Sequence, residues 1–185
     1  MIMEKKALLL VDVQNAFYDS TWGERNNPDA EENISRLVKT WRKKDWPVIY
    51  IQHVSDNPSS LFYSKGTGVE IKDMVKPLEN EKIIKKKVNS SFIGTDLERY
   101  LRTNGLSTVV ITGLTTPHCV STTTRMSGNL GFDTYLISDA VAAFGITDHT
   151  NTYYDAETIH THSLAALHDE FAVILSTEQL LNDIY

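Results

Sequence analysis

The chain has 185 residues, 41% of them hydrophobic and 23% charged, with a formal net charge of −6 at pH 7. That length suits one domain with a full core, and the acidic balance argues against a nucleic-acid surface, which needs clustered positive charge. A single cysteine, Cys119, excludes an internal disulfide and multi-cysteine zinc sites.

The opening MIMEKKALLLVDVQNAF has an apolar run too short for a signal peptide, and Asp12 interrupts it. No stretch approaches the length of a membrane-spanning helix. The expected compartment is a reducing cytoplasm, and neither nucleic acid nor membrane is an expected partner. ALLLVDV (7–13) is near-continuously apolar and reads as a strand buried on both faces. NNPDAEENISRLVKTWRKKD reads as a helix, with Asn27 as cap, Pro28 in the first helical position and acids preceding bases. PVIYIQHV (47–54) is a second strand. Residues 55–80 are irregular, a long connection of the kind that builds sites. Its KGTG (65–68) lacks the glycine spacing of a phosphate cradle.

EKIIKKK (81–87) reads as a third strand. TDLERYLRTNG is a helix with a Thr95/Glu98 capping box and Gly105 at its end. LSTVVIT (106–112) is a fourth strand, followed by a helix from about Thr116 to Leu130 that Gly131 closes. FDTYLIS (132–138), the helix DAETIHTHSLAALHD and FAVILS (171–176) follow, with a Ser176/Gln179 capping box opening the last helix. Strands alternating with helices predict an α/β fold: a mostly parallel sheet covered on both faces, with right-handed crossovers, in one domain over 1–185.

In open sheets of this class, sites form beyond the carboxyl ends of the strands. The first strand ends at Asp12, the third at the lysines 85–87, and the fourth runs into TGLTTPHC. A carboxylate, an ammonium and a thiol therefore converge on one rim. The first turn of a helix, marked by Pro117, favours a thiolate at Cys119, and a nearby lysine lowers its pKa further. A carboxylate there can take the thiol proton. The alternative is that Cys119 is a small buried hydrophobe. Asp12 is either paired with a cation or a structural turn cap, since a buried carboxylate needs a partner. On a strand, Lys85 and Lys87 share one face and Lys86 takes the other; a solvated edge strand explains such a run equally.

LLLVDVQNAF, IIKKKVNSSFIGTDLERYL and VVITGLTTPHCVSTTTRMSGNLGFDTYLISDAVAAF together resemble the isochorismatase-like cysteine hydrolases, over nearly the whole chain in order and spacing. That superfamily includes nicotinamidases, N-carbamoylsarcosine amidohydrolases, ureidoacrylate and streptothricin hydrolases, and isochorismatases. The resemblance implies a three-layer α/β/α fold with six strands in the order 3-2-1-4-5-6. It matches the catalytic aspartate to Asp12 and the nucleophile to Cys119. The lysine, four positions before the first serine of Ser90-Ser91-Phe92, becomes Lys86. It also implies a cis peptide at Leu114–Thr115, and an oxyanion hole formed by the backbone N–H groups of Thr115 and Cys119. The chemistry implied is C–N hydrolysis of a small amide-like molecule through a thioester, with no cofactor, in a homodimer or larger homo-oligomer.

Nicotinamidases carry a D-x-H…H metal site after the second strand. Here YIQHVSDNPSSLFY has His53 and Asp56 but no D-x-H pair, so His53 reads as a hydrogen-bonded pocket or core histidine and no metal is expected. His118 reads as a pocket wall or surface residue, and His149, His160, His162 and His168 show no ligand pattern. Gln14 is expected to orient Asp12 or bind substrate. Phe17, Trp22 and Phe144, just after strand ends, are expected either to wall a small-molecule pocket or to pack as core. Two alternatives stand beside the amidohydrolase: a vinyl-ether hydrolase with Asp12 as the acid, and a non-catalytic oligomeric binding protein.

Overall fold

A computed structural model describes residues 5–184. In chain order these form β1 (Lys6–Val11), α1 (Ala30–Lys43), β2 (Val48–His53), β3 (Lys82–Lys86), α2 (Leu97–Thr103), β4 (Thr108–Leu114) and α3 (Ser121–Asn129). There follow β5 (Asp133–Ala142), β6 (Ile146–Thr147), β7 (Tyr153–Tyr154), α4 (Ala156–Ala165), β8 (Val173–Leu175) and α5 (Thr177–Asp183). Six strands make one parallel sheet in the order β3-β2-β1-β4-β5-β8. The short antiparallel pair β6–β7 stands apart from it. With that hairpin set aside, the order is the expected 3-2-1-4-5-6.

The apolar run of β1 explains its central place. Ala7, Leu9 and Val11 enter one core with Leu97 and Leu101 of α2, while Leu8 and Leu10 enter the other with Ile34, Leu37 and Trp41 of α1. A strand buried on both faces has no polar side to give to water. Each such leucine contributes about 1.5–3 kcal/mol of burial. Trp41 also donates its indole N–H to Lys6 O at 2.8 Å, tying α1 to the start of the central strand.

Two expected caps are absent, because each side chain donates to a carbonyl outside its helix. Asn27 lies before the helix at φ 44°, and its Nδ2 donates to Ser138 O and Val141 O, both at 2.8 Å. α1 therefore starts at Ala30, with Asp29 as its flanking residue and Pro28 outside the first turn. Thr95 Oγ1 donates to Ser91 O at 2.6 Å and accepts from Leu97 N at 3.3 Å, but α2 starts only at Leu97, after Asp96, and Glu98 pairs with Arg102 rather than closing a box. The Ser176/Gln179 box forms as expected. Among the described residues no helix is long and apolar enough to cross a membrane.

Candidate active site

β1 ends in a reversal. Asp12 takes φ 52°, a left-handed conformation that costs a non-glycine residue energy. Opposite, Gly113 has φ 120°, and a Cβ there would stand 2.0 Å from Val11 O. Glycine lets β4 pass close to the point where β1 turns over. The turn aims Asp12 into the interior, where it is 1% exposed. Its Oδ2 accepts from Lys86 Nζ at 2.7 Å, and its Oδ1 is buried without a hydrogen-bond partner among the described residues.

Lys86 closes the last register position of β3, opposite His53 at the end of β2. It alternates inward as its position in the strand requires: Lys86 is 2% exposed and Lys85 faces solvent. Two strands separate β3 from β4, and the long side chain bridges the gap. Nζ lies 3.0 Å from His53 Nδ1, 3.1 Å from Val88 O and 3.3 Å from Cys119 Sγ. The following loop is pinned to α3, because Ser91 N and Oγ both meet Thr123 Oγ1, at 3.1 and 2.8 Å.

Cys119 sits in a π-helical turn, Thr116–Val120, between β4 and α3. The Leu114–Thr115 peptide before it is cis. Thr116 Oγ1 meets Nδ1 of the buried His160 at 3.0 Å, so α4 braces the turn. Thr115 Oγ1 and His118 Nδ1 meet at 3.0 Å, which directs His118 away from the sulfur. Asn89 Oδ1, a residue the motifs did not single out, lies 3.8 Å from Sγ.

The electrostatics correct one expectation. The helix start and Lys86 were expected to lower the Cys119 pKa; burial, then the nearby Asp12 charge, push the thiol up to about 12. Burial also raises the Asp12 carboxyl, outweighing the Lys86 ammonium beside it. Burial, then Lys86, lowers His53 to about 4, so its imidazole is neutral near pH 7. With its pKa near 12, the resting sulfur is a thiol at neutral pH.

A model of the isochorismatase domain matches residues 6–179. The chain belongs to the isochorismatase family. It is 69% identical to the Bacillus subtilis isochorismatase family protein YrdC over 97% of this chain and 96% of that one. It is 28% identical to the N-carbamoylsarcosine amidase of an Arthrobacter species over 69% of this chain and 56% of that one. A crystal structure of an isochorismatase-family protein from Chromobacterium violaceum superposes with a TM-score of 0.95 at 38% identity, covering 98% of this chain and 94% of that one.

The other residues of interest in this isochorismatase-family hydrolase divide into two groups. Gln14 is fully buried, and its amide is spent on backbone: Nε2 donates to His53 O and Val69 O at 2.9 and 2.8 Å, and Oε1 accepts from His53 N at 2.8 Å. That corrects the expectation of a substrate contact; Gln14 moors the end of β2. Phe17, Trp22 and Phe144 do come together. Their rings stack and tilt on one another at 5.0–6.1 Å, and Phe62 extends the wall to His53 at 5.0 Å. Trp22 and Phe144, with Thr115, Pro117, His118 and Ile146, line a cavity of about 200 Å³ beside the turn that carries Cys119. Phe62 and His53 were legible only in part: His53 stands at a strand end, where the strand-end rule points, but Phe62 lies in the irregular 55–80 stretch.

Ligand atoms of Asp12, His53 and Cys119 lie within 4.8 Å of one another, a spacing a metal ion could use. The Lys86 ammonium lies within 3.3 Å of all three. A divalent cation entering there would face that positive charge at close range, so the set is better matched to its internal cation than to a metal.

Proposed function

We propose that this family member is a cysteine hydrolase that cleaves the C–N bond of a small, uncharged amide-like molecule through a thioester on Cys119. The observation that carries this reading is the ammonium of Lys86, 2.7 Å from Asp12 and 3.3 Å from the sulfur. Asp12 Oδ1, buried and unbonded, is the acceptor for the thiol proton. Moving that proton leaves the net charge of the three groups unchanged, and Lys86 stabilises whichever of Asp12 and Cys119 is ionised.

The thiolate then attacks the carbonyl carbon. A C–S bond forms and the carbonyl electrons move to oxygen, which the backbone N–H groups of Thr115 and Cys119 receive. Collapse breaks the C–N bond, and Asp12 returns the proton to the departing nitrogen. Water attacks the thioester with Asp12 taking its proton, the acid leaves, and Cys119 recovers its hydrogen. The sum is one amide and one water giving one acid and one amine or ammonia. The cavity lining contributes no charged side chain, since burial holds His118 below its usual pKa. That favours an uncharged substrate group and disfavours the vinyl-ether reading, whose isochorismate-like substrate carries two carboxylates.

Ammonia or amine release across a panel of amides, ureas and lactams tests the proposal. Cys119→Ala should lower turnover on the order of 10³-fold or more, and the wild type should show an acyl adduct by intact mass. Turnover that survives Cys119→Ala would return the reading to acid catalysis by Asp12.

A further inference from the structure

An ammonium group has three hydrogens to donate. Four acceptors surround Lys86 Nζ: Asp12 Oδ2 at 2.7 Å, His53 Nδ1 at 3.0 Å, Val88 O at 3.1 Å and Cys119 Sγ at 3.3 Å. One of them must go without. Asp12 is nearest and makes a charge-assisted bond. Val88 O belongs to the backbone two residues beyond the lysine and travels with it. His53 and Cys119 are left to share the third hydrogen.

His53 is built to hold its place in that contest. Its backbone N–H and C=O are both clamped by the Gln14 amide. Its ring lies against Phe62, with centroids 5.0 Å apart. Facing a donor lysine, Nδ1 must be the bare nitrogen, which puts the ring hydrogen on Nε2. The charged and titratable groups around the imidazole are Lys86 from β3, Asp12 Oδ2 at 3.8 Å from the end of β1 and Cys119 Sγ at 3.9 Å from the π-helical turn.

We propose that His53 is a positioning residue that competes with Cys119 for the Lys86 ammonium and so withholds from the resting sulfur a hydrogen bond that would favour its thiolate. When the thiol proton passes to Asp12, Lys86 keeps its three hydrogens and turns about its last bond, moving one from His53 to the new thiolate. No backbone moves and no proton is gained or lost. This inference rests on the reading of Cys119 as nucleophile, but it concerns the ionisation of the sulfur and not the identity of the substrate.

The test is the pH dependence of iodoacetamide alkylation in the full chain. Cys119 is its only thiol, so the site of reaction is unambiguous. His53→Phe frees the hydrogen for sulfur and should speed alkylation near neutral pH about tenfold, the worth of one hydrogen bond to a charged group. The alkylation midpoint should move to lower pH. His53→Asn, which keeps an acceptor near Nδ1, should restore the wild-type profile. An unchanged or raised midpoint in His53→Phe overturns the proposal, as does an Asn variant that behaves like Phe. Imidazole nitrogen chemical shifts of the unmodified protein supply a check that needs no variant. The Nε2–H tautomer near pH 7 is expected, and Nδ1–H overturns it. Alkylation needs no turnover, so failure of the amide panel and failure of this competition are separate results.

Discussion

Lys86 spends its whole length inside the protein to put one charge between a carboxylate and a sulfur. Removing one member of a buried ion pair leaves the other uncompensated, which costs about 3–5 kcal/mol. Lys86→Met should therefore abolish turnover and lower the melting temperature. The loss should be larger near pH 8 than near pH 5, because Asp12 escapes the penalty by keeping a proton. In that variant the folded-state pKa of Asp12 is raised further above its unfolded value, so stability is lost as pH rises; thermal melts at the two pH values read it. A melting curve that is indifferent to pH would contradict the pairing. Of the three lysines at 85–87, strand alternation alone separated Lys86 from its neighbours, and the motif spacing of the resemblance selected it. His53 was harder to see. Its role depends on a distance to a residue 33 positions away, which no local pattern records.

At the scale of elements, the point of greatest constraint is the crossing of β1 and β4. Gly113→Ala places a Cβ 2.0 Å from Val11 O at a φ of 120°. The substitution should cost about 3 kcal/mol, combining overpacking with an unfavourable φ, and should displace Asp12. Equilibrium denaturation gives the first effect and loss of turnover beyond the loss of folded protein gives the second. The Ser176 cap is a smaller matter: Ser176→Ala removes the acceptor of Gln179 N and should cost about 1 kcal/mol without touching the site. Caps also show where local reading stops. The Ser176/Gln179 box closes on itself, four residues from end to end, and the sequence sufficed to find it. Asn27 and Thr95 are equally good cap residues, but Asn27 donates to the carbonyls of Ser138 and Val141 on a remote strand, and Thr95 donates to Ser91 O in the preceding turn, so neither closes the expected cap.

For the molecule as a whole, titration couples these groups to stability. Burial is the largest single influence on Glu31 and raises its carboxyl, but the hydrogen bonds and charges of Arg25 and Lys72 together outweigh it and hold the group down to about 2. Its folded pKa is depressed, so its contribution is full above about 4.5 and is lost as pH falls toward 2. His53 is depressed from 6.5 to about 4, so the unfolded chain binds more protons in that interval and stability falls with acidification there too. Asp12, raised by burial, works in the opposite direction as pH rises above 3.8. Melting temperature should decline in two stages on the acid side. Glu31→Gln should flatten the stage below about 4.5 while leaving the one above it. Persistence of the lower stage in that variant would place its origin elsewhere.

Alternation of short apolar strands with amphipathic helices was sufficient to specify a parallel sheet covered on both faces, because burial follows periodicity and periodicity is written residue by residue. The same pattern located the rim on which a carboxylate, a lysine and a thiol had to meet. Three things waited for the tertiary structure: the protonation of the sulfur, the mooring of Gln14, and the place of His53 beside Lys86. Each depends on how much water is excluded and on which groups from remote segments share the same few ångströms, and neither quantity exists until the chain has closed on itself.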